Sequence, residues 1–380
     1  MWNRAAIVSA ALVISAACLG QEADPAPFNA ENDSLFKDVF SMILKEYVDP
    51  KLPEDVVAGA LAGAVETSGP ESAYIPPGEV ASYKALQAQS AALPLFVTKG
   101  QDFAKVLAVF PQTDPVVKVG DGLRFINGKS TFDMTYPQVA EALRGPAGEE
   151  AKCVFIKPET WQSYTVVLKR RPYPEASVAE LAGGGAVVAV PSLEAAPPKD
   201  LASKLGQAKG PFIIDLRGCA SESDSDALSW ASLIGGDSEG VFLADQQGKH
   251  ANPVHGPGLL KGRKFIVLVD GTTARGGEIL AAALVKAGGT LAGEPTFGWA
   301  PKFSDFALSN GGLLHILCGY YTDGSGEAIR DKPLKPSIEA KAREGEKPAA
   351  FYARLVAAEA AARAKEPQKQ PETAKRPDGH

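Results

Sequence analysis

The chain has 380 residues, enough for two or three domains of ordinary size. Hydrophobic residues make up 45% and charged residues 22%, an ordinary balance for a globular protein with a core. A net charge of -6 and a pI of about 5.5 exclude the basic footprint of a nucleic-acid binder.

Met1 to Arg4 gives a short positive start, Ala5 to Ala17 is almost wholly apolar, and charge and proline follow from Glu22. That order is the pattern of an export signal. The run is shorter than the roughly 20 residues that span a bilayer, and no later stretch is long enough either. The mature protein is therefore expected outside the cytoplasm, in the periplasm or cell envelope. Ile14-Ser15-Ala16-Ala17-Cys18 resembles a bacterial lipoprotein cleavage site, which would leave Cys18 acylated as the new N-terminus. Plain signal cleavage is the alternative. The only membrane contact expected is such a lipid anchor.

After the signal, Leu35, Phe36, Val39, Phe40, Ile43, Leu44 and Tyr47 repeat at helical spacing, as do Val56, Val57, Ala60, Leu61, Ala64 and Val65. The pair packs on a larger body or forms a homodimer surface. From Leu93 to Pro172 the texture changes to short strands at Val106–Phe110, Leu123–Ile126, Val154–Ile156 and Tyr164–Leu168. Asn127-Gly128 marks a turn, and Tyr136–Leu143 reads as a helix. Continuous apolar runs at Ala186–Val190, Phe212–Leu216 and Phe265–Val269 then alternate with helical segments, the pattern of an α/β layer buried on both faces. A helix over Glu278–Lys286 stops at Gly288-Gly289. Ala349–Lys365 reads as a last helix, and Glu366–His380 has the composition of a disordered tail.

Cys153, Cys219 and Cys318 are odd in number once Cys18 is set aside, which argues against a disulfide framework. The four histidines form no metal-ligand motif, so neither a metal nor a cofactor is expected.

Several motifs in order resemble the C-terminal processing peptidases, or tail-specific proteases. Tyr47-Val48-Asp49-Pro50 and Ser72-Ala73-Tyr74-Ile75-Pro76-Pro77 resemble the family's opening signatures. Val119-Gly120-Asp121-Gly122-Leu123, Ile126-Asn127-Gly128 and Leu143-Arg144-Gly145-Pro146-Ala147-Gly148 are similar to its inserted PDZ domain. Ile213-Ile214-Asp215-Leu216-Arg217, Glu278-Ile279, Gly293-Glu294-Pro295-Thr296-Phe297-Gly298 and Leu308-Ser309-Asn310-Gly311-Gly312 continue the match through the catalytic region.

The resemblance implies an α/β fold: a serine-peptidase-type (ClpP/crotonase-like) core with an inserted PDZ-like β-rich domain and an N-terminal helical segment. The expected divisions are a signal at 1–18, helices at 30–90, the PDZ-like domain at 91–172, the core at 173–345 and a helical then disordered tail at 346–380. It also implies a serine nucleophile activated by a lysine, with a glutamine nearby and backbone amides for the oxyanion.

The sequence departs from the family at those positions. Arg275 stands where the serine is expected, Trp299 where the lysine is and Phe303 where the glutamine is. Arginine has no accessible neutral form, tryptophan has no basic nitrogen and phenylalanine has no polar group. Loss of nucleophile and base costs about 10⁶-fold in rate in enzymes of this general kind. The family's glycine pair is replaced by Gly218-Cys219-Ala220-Ser221-Glu222. The expectation is a non-catalytic homologue that binds a peptide or protein.

Two rivals stand beside it: an active peptidase using relocated Thr272 or Thr273 with Lys302, and an adaptor with vestigial clefts. Cys219 and Cys318, the latter three residues after His315, read as small buried cysteines rather than nucleophiles. Arg275 either stacks on Trp299 in a filled cleft or offers its charge to a peptide carboxylate. A PDZ-type groove would be lined by Leu95, Phe96, Val139 and Leu143, though Pro94 removes one amide from its carboxylate loop.

Overall fold

The computed structural model describes residues 30–69, 71–100, 102–110 and 113–365. The export signal, Cys18 and the tail from Glu366 fall outside the described residues. The chain divides into two units, the second starting at Ala62.

The first unit is a helical pair. α1 (Ala30–Glu46) carries Glu31 and Asp33 in its first turn and Lys45 in its last, charges that complement the helix dipole at both ends. Pro53 opens α2 (Pro53–Glu66), a position where its missing N–H has no cost, and the last turn of this helix runs into the second unit. Leu35, Phe36, Val39, Met42 and Ile43 are exposed on α1, so the apolar stripe read from the sequence is real but uncovered. Phe36, Val39, Phe40, Ile43, Tyr47 and Val56 line a groove of about 550 Å³.

The second unit is built on a six-stranded sheet. Its strands run in the order Ser177–Leu181, Gly185–Ala189, Phe212–Asp215, Phe265–Val269, Thr290–Gly293 and Ile338–Glu339. The first pair is antiparallel and the rest are parallel. Alternate residues of the apolar runs face opposite ways. Val188, Ile214 and Val267 meet α6 (Asp224–Gly235) and α7 (Gly276–Lys286) through Trp230, Ile279 and Leu280. Val187, Ile213 and Ile266 meet Phe351 and Leu355 of α8 (Pro348–Lys365) on the other face. Burial on both faces is why these strands lack polar alternation. Two shorter helices, α3 (Val80–Gln87) and α5 (Leu201–Gln207), complete this part of the chain.

A second sheet, antiparallel throughout, joins Ala73–Ile75, Leu313–Tyr321, Ser238–Asp245 and Gly248–Val254, with Pro301–Ala307 paired to Leu313–Tyr321. A β-rich insert holds a six-stranded sheet, five strands running in sequence order from Leu95–Lys99 to Ser163–Lys169 and Lys129–Ser130 paired beside Gly122–Ile126, around its own core and one helix, α4 (Tyr136–Leu143). Asn127 (φ 50°) and Gly128 (φ 83°) connect Gly122–Ile126 to Lys129–Ser130, positive angles that an Asn-Gly pair accepts at little strain. α4 begins where a capping box places it: Thr135 accepts from the Gln138 amide, and Gln138 accepts from the Thr135 amide.

Candidate functional site

Two short segments meet at the head of α7. Ala220–Ser221 pairs in parallel with Ala274–Arg275, with Ser221 opposite Arg275. Gly277 makes this close approach fit, because a Cβ there would stand 2.2 Å from the Cys219 carbonyl oxygen. Arg275 takes a left-handed backbone, φ 53° and ψ -115°, that an L-residue adopts only when its surroundings enforce it. The enforcement is visible. Its amide donates to the Trp299 carbonyl at 3.0 Å and to Glu278 Oε2 at 3.3 Å.

Glu278, fully buried on α7, pins the loop that follows. It accepts from Thr296 Oγ1 at 2.5 Å, the Gly298 amide at 2.7 Å and the Trp299 amide at 2.8 Å. Burial pushes its carboxyl above the usual range, and these donors offset only part of that. One side chain thus bonds both the turn carrying residue 275 and the loop carrying residue 299, in addition to the backbone bond between them.

The side chains at these two positions converge on a third. Arg275 Nη2 is ion-paired with Glu71 Oε1, and Trp299 Nε1 donates to Glu71 Oε2 at 3.2 Å. Thr98 adds its hydroxyl to the same carboxylate at 3.2 Å. Arg275 is 4% exposed and Glu71 3%, so the pair is closed to water. Burial works against the Arg275 charge, but Glu71, Tyr136 and Glu222 outweigh it and hold the guanidinium firmly protonated.

Arg275 does not stack on Trp299, as one reading of the sequence had it. Its guanidinium lies over Tyr136 at 4.9 Å and Phe96 at 5.7 Å, while Trp299 packs edge-on against Tyr320. Nor is the Arg275 charge available to an incoming carboxylate, since Glu71 already neutralises it. Phe303 lies against the His315 ring at 4.7 Å.

The residues considered for a relocated dyad are engaged elsewhere. Thr273 Oγ1 donates to the Leu216 carbonyl at 2.8 Å, Thr272 Oγ1 to Asp270 at 2.6 Å, and Lys302 Nζ to Asp224 at 2.6 Å. Cys219 is buried, and burial pushes its thiol well above its ordinary range. Cys318 Sγ donates to the Ile316 carbonyl at 3.5 Å. One hydroxyl does stand beside an imidazole: Tyr83 Oη lies 3.3 Å from His315 Nδ1. It is a phenol raised by burial and by Asp305, and Asp305 accepts from it and pairs with His315 at 2.7 Å. That arrangement disfavours the ionised oxygen a nucleophile needs.

Leu95, Val139 and Leu143 are buried in the core of the β-rich insert, and Phe96 packs toward Ala220 and Ala274. Within the segment Leu93–Phe96, the Leu93 amide donates to the Leu143 carbonyl and the Leu95 amide to the Leu93 carbonyl. The site residues that the sequence alone did not reveal are Glu71 and Glu222. Glu222 accepts from Tyr136 Oη at 2.5 Å and from Arg144 Nη2 at 2.7 Å. Burial pushes its carboxyl up, yet Arg144 and Arg275 outweigh that and hold it below the usual range. The available signal for Glu71 was chemical: an arginine on a buried turn requires a carboxylate.

Beside this sealed cluster a cleft of about 650 Å³ remains. Its walls come from α3, α4, the start of α6 and the strands carrying Phe303 and His315. Arg275, Gly276 and Ile279 form part of its floor. Among the described residues no helix is long and apolar enough to cross a membrane.

Residues 185–340 match the family model described as peptidase family S41. No curated protein matches the chain. Among solved structures, the photosystem II D1 C-terminal processing protease aligns with a TM-score of 0.62 over 81% of this chain and 87% of its own, at 21% identity. A lipoprotein from Streptococcus agalactiae aligns at 0.36 and 15% identity, over 48% of this chain and 70% of its own. Mature CPAF complexed with lactacystin gives 0.38 at 10% identity, over 85% of this chain and 91% of its own. The likeness in fold rests on the first of the three.

Proposed function

We propose, for a chain that belongs to the C-terminal processing peptidases of family S41 through residues 185–340, the role of a non-catalytic member that binds peptide segments. The observation that carries this reading is the Arg275–Glu71–Trp299 cluster. Where hydrolysis needs a removable proton and a neutral base, the cluster supplies a permanent cation, a carboxylate that neutralises it and an indole. The cleft alongside keeps the size of a ligand site, about 650 Å³. The apolar run before Cys18 supports an extracytoplasmic setting as part of the same proposal, with a lipid anchor at Cys18. A PDZ-type role for the β-rich insert belongs to it as well.

Incubating the purified protein with unstructured peptides is expected to give saturable binding by fluorescence anisotropy and intact peptides by mass spectrometry. Cleavage that disappears in a Thr273→Ala variant would restore the relocated-dyad reading.

A second reading is favoured by the exposed stripe on α1 and the groove beside it. Here the helical pair is a homodimer surface, because large uncovered apolar patches mark interaction sites. Light scattering is expected to give twice the chain mass at micromolar concentration; the mass of one chain rejects this reading.

A further inference from the structure

The cleft's charges are unevenly balanced. Six carboxyl side chains line it, Glu141, Glu194, Glu222, Asp224, Asp226 and Asp305, against the guanidinium groups of Arg144 and Arg275. Both cations are committed inside the protein. Arg144 is held by Glu222 at 2.7 Å, and Arg275 by Glu71 behind the cleft.

The carboxyls are not committed to the same degree. Asp224 has Lys302 at 2.6 Å, and Asp305 has His315 at 2.7 Å and the Tyr83 hydroxyl. Glu194 is bonded to the hydroxyls of Ser192 and Ser221 and to no cation. Among the described residues Glu141, on α4, and Asp226, in the first turn of α6, have no cationic partner within 4 Å. Burial and the neighbouring Glu79 push the Glu141 carboxyl up, with Lys129 a weaker opposing influence. Tyr83 and Tyr173 add aromatic walls.

An excess of carboxylate on low-dielectric walls focuses a negative potential, and aromatic faces add an attraction for cations. Among the described residues that line the cleft, a free C-terminal carboxylate finds no uncommitted guanidinium or ammonium. We infer that the cleft recognises lysine- or arginine-bearing peptide segments, their side-chain cations lying between Glu141 and Asp226, rather than chain termini. This rests on the peptide-binding reading above and names its ligand class.

The test is equilibrium binding of three unstructured peptides of equal length, rich in lysine, in glutamine or in glutamate, with spermidine as a separate arm. The lysine peptide should bind about tenfold or more tightly than the glutamine peptide and weaken as salt is raised, and the glutamate peptide should not bind. Amidating the lysine peptide's C-terminus should leave its affinity unchanged. Glu141→Gln and Asp226→Asn should each weaken it about three- to tenfold, while Glu180→Gln, on an exposed strand elsewhere, should not.

Equal binding of lysine and glutamine peptides would overturn the charge preference and leave the peptide-binding reading standing. Failure of all three peptides would remove both. Spermidine binding as tightly as the lysine peptide would reassign the cleft to small polycations.

Discussion

Replacing Glu71 by glutamine is expected to cost about 3–5 kcal/mol of stability, because it leaves the buried Arg275 guanidinium without its counter-charge. Denaturant unfolding of the purified variant measures this directly. The paired change Glu71→Leu/Arg275→Met removes both charges and is expected to recover most of the loss, since well-packed apolar groups often replace a buried ion pair at little cost. The glutamine variant thus tests the charge and the double variant tests the packing. A glutamine variant as stable as the parent would show that water or another group compensates Arg275.

The second large effect concerns chemistry. Introducing a serine and a lysine as Arg275→Ser/Trp299→Lys is expected to leave the protein inactive. The introduced ammonium would lie near the Glu71 carboxylate that now accepts the Trp299 indole at 3.2 Å, and that neighbour would keep it charged. A charged lysine is no base. Adding Glu71→Gln removes the acid, and the triple variant is expected to cleave a fluorogenic peptide about 10²–10⁴-fold faster than the double variant, the range a positioned base contributes. Equal rates for the two variants would mean that Glu71 does not control the base. The sharp turn already present at residue 275 is what makes the experiment reasonable, since it would carry the introduced serine without rebuilding the backbone.

Much of the architecture was legible because it depends on short-range signals. Tyr136–Leu143 is a helix at the limits read from the sequence, and the capping residues Thr135 and Gln138 explain why. Phe265–Val269 is likewise a buried strand, since five consecutive apolar residues suit a central position. The second sheet was not legible. Ser238–Asp245 and Gly248–Val254 mix polar and apolar residues and are partly exposed, so neither alternation nor a continuous run announces them.

Arg275, Trp299 and Phe303 could be read directly at the positions where the family resemblance expects serine, lysine and glutamine. What those side chains contact could not. Glu71 lies 204 residues from Arg275 in the chain, and a partnership over that distance leaves no local pattern. An Arg275–Trp299 stack, one of the two readings of Arg275, does not form for the same reason: the competing rings, Tyr136 and Phe96, come from an insert whose docking the sequence does not specify.

The left-handed torsion at residue 275 places two demands that no single amino acid meets. Glycine would relax the backbone, where a side chain costs on the order of 1–3 kcal/mol. It would also abandon a carboxylate with no route to solvent. An abandoned carboxylate is the worse fault, so the position is held under tension by a neighbour far away in the chain. The contorted bend at residue 275 serves here as the mounting for a bolt, the ion pair that ties it to Glu71.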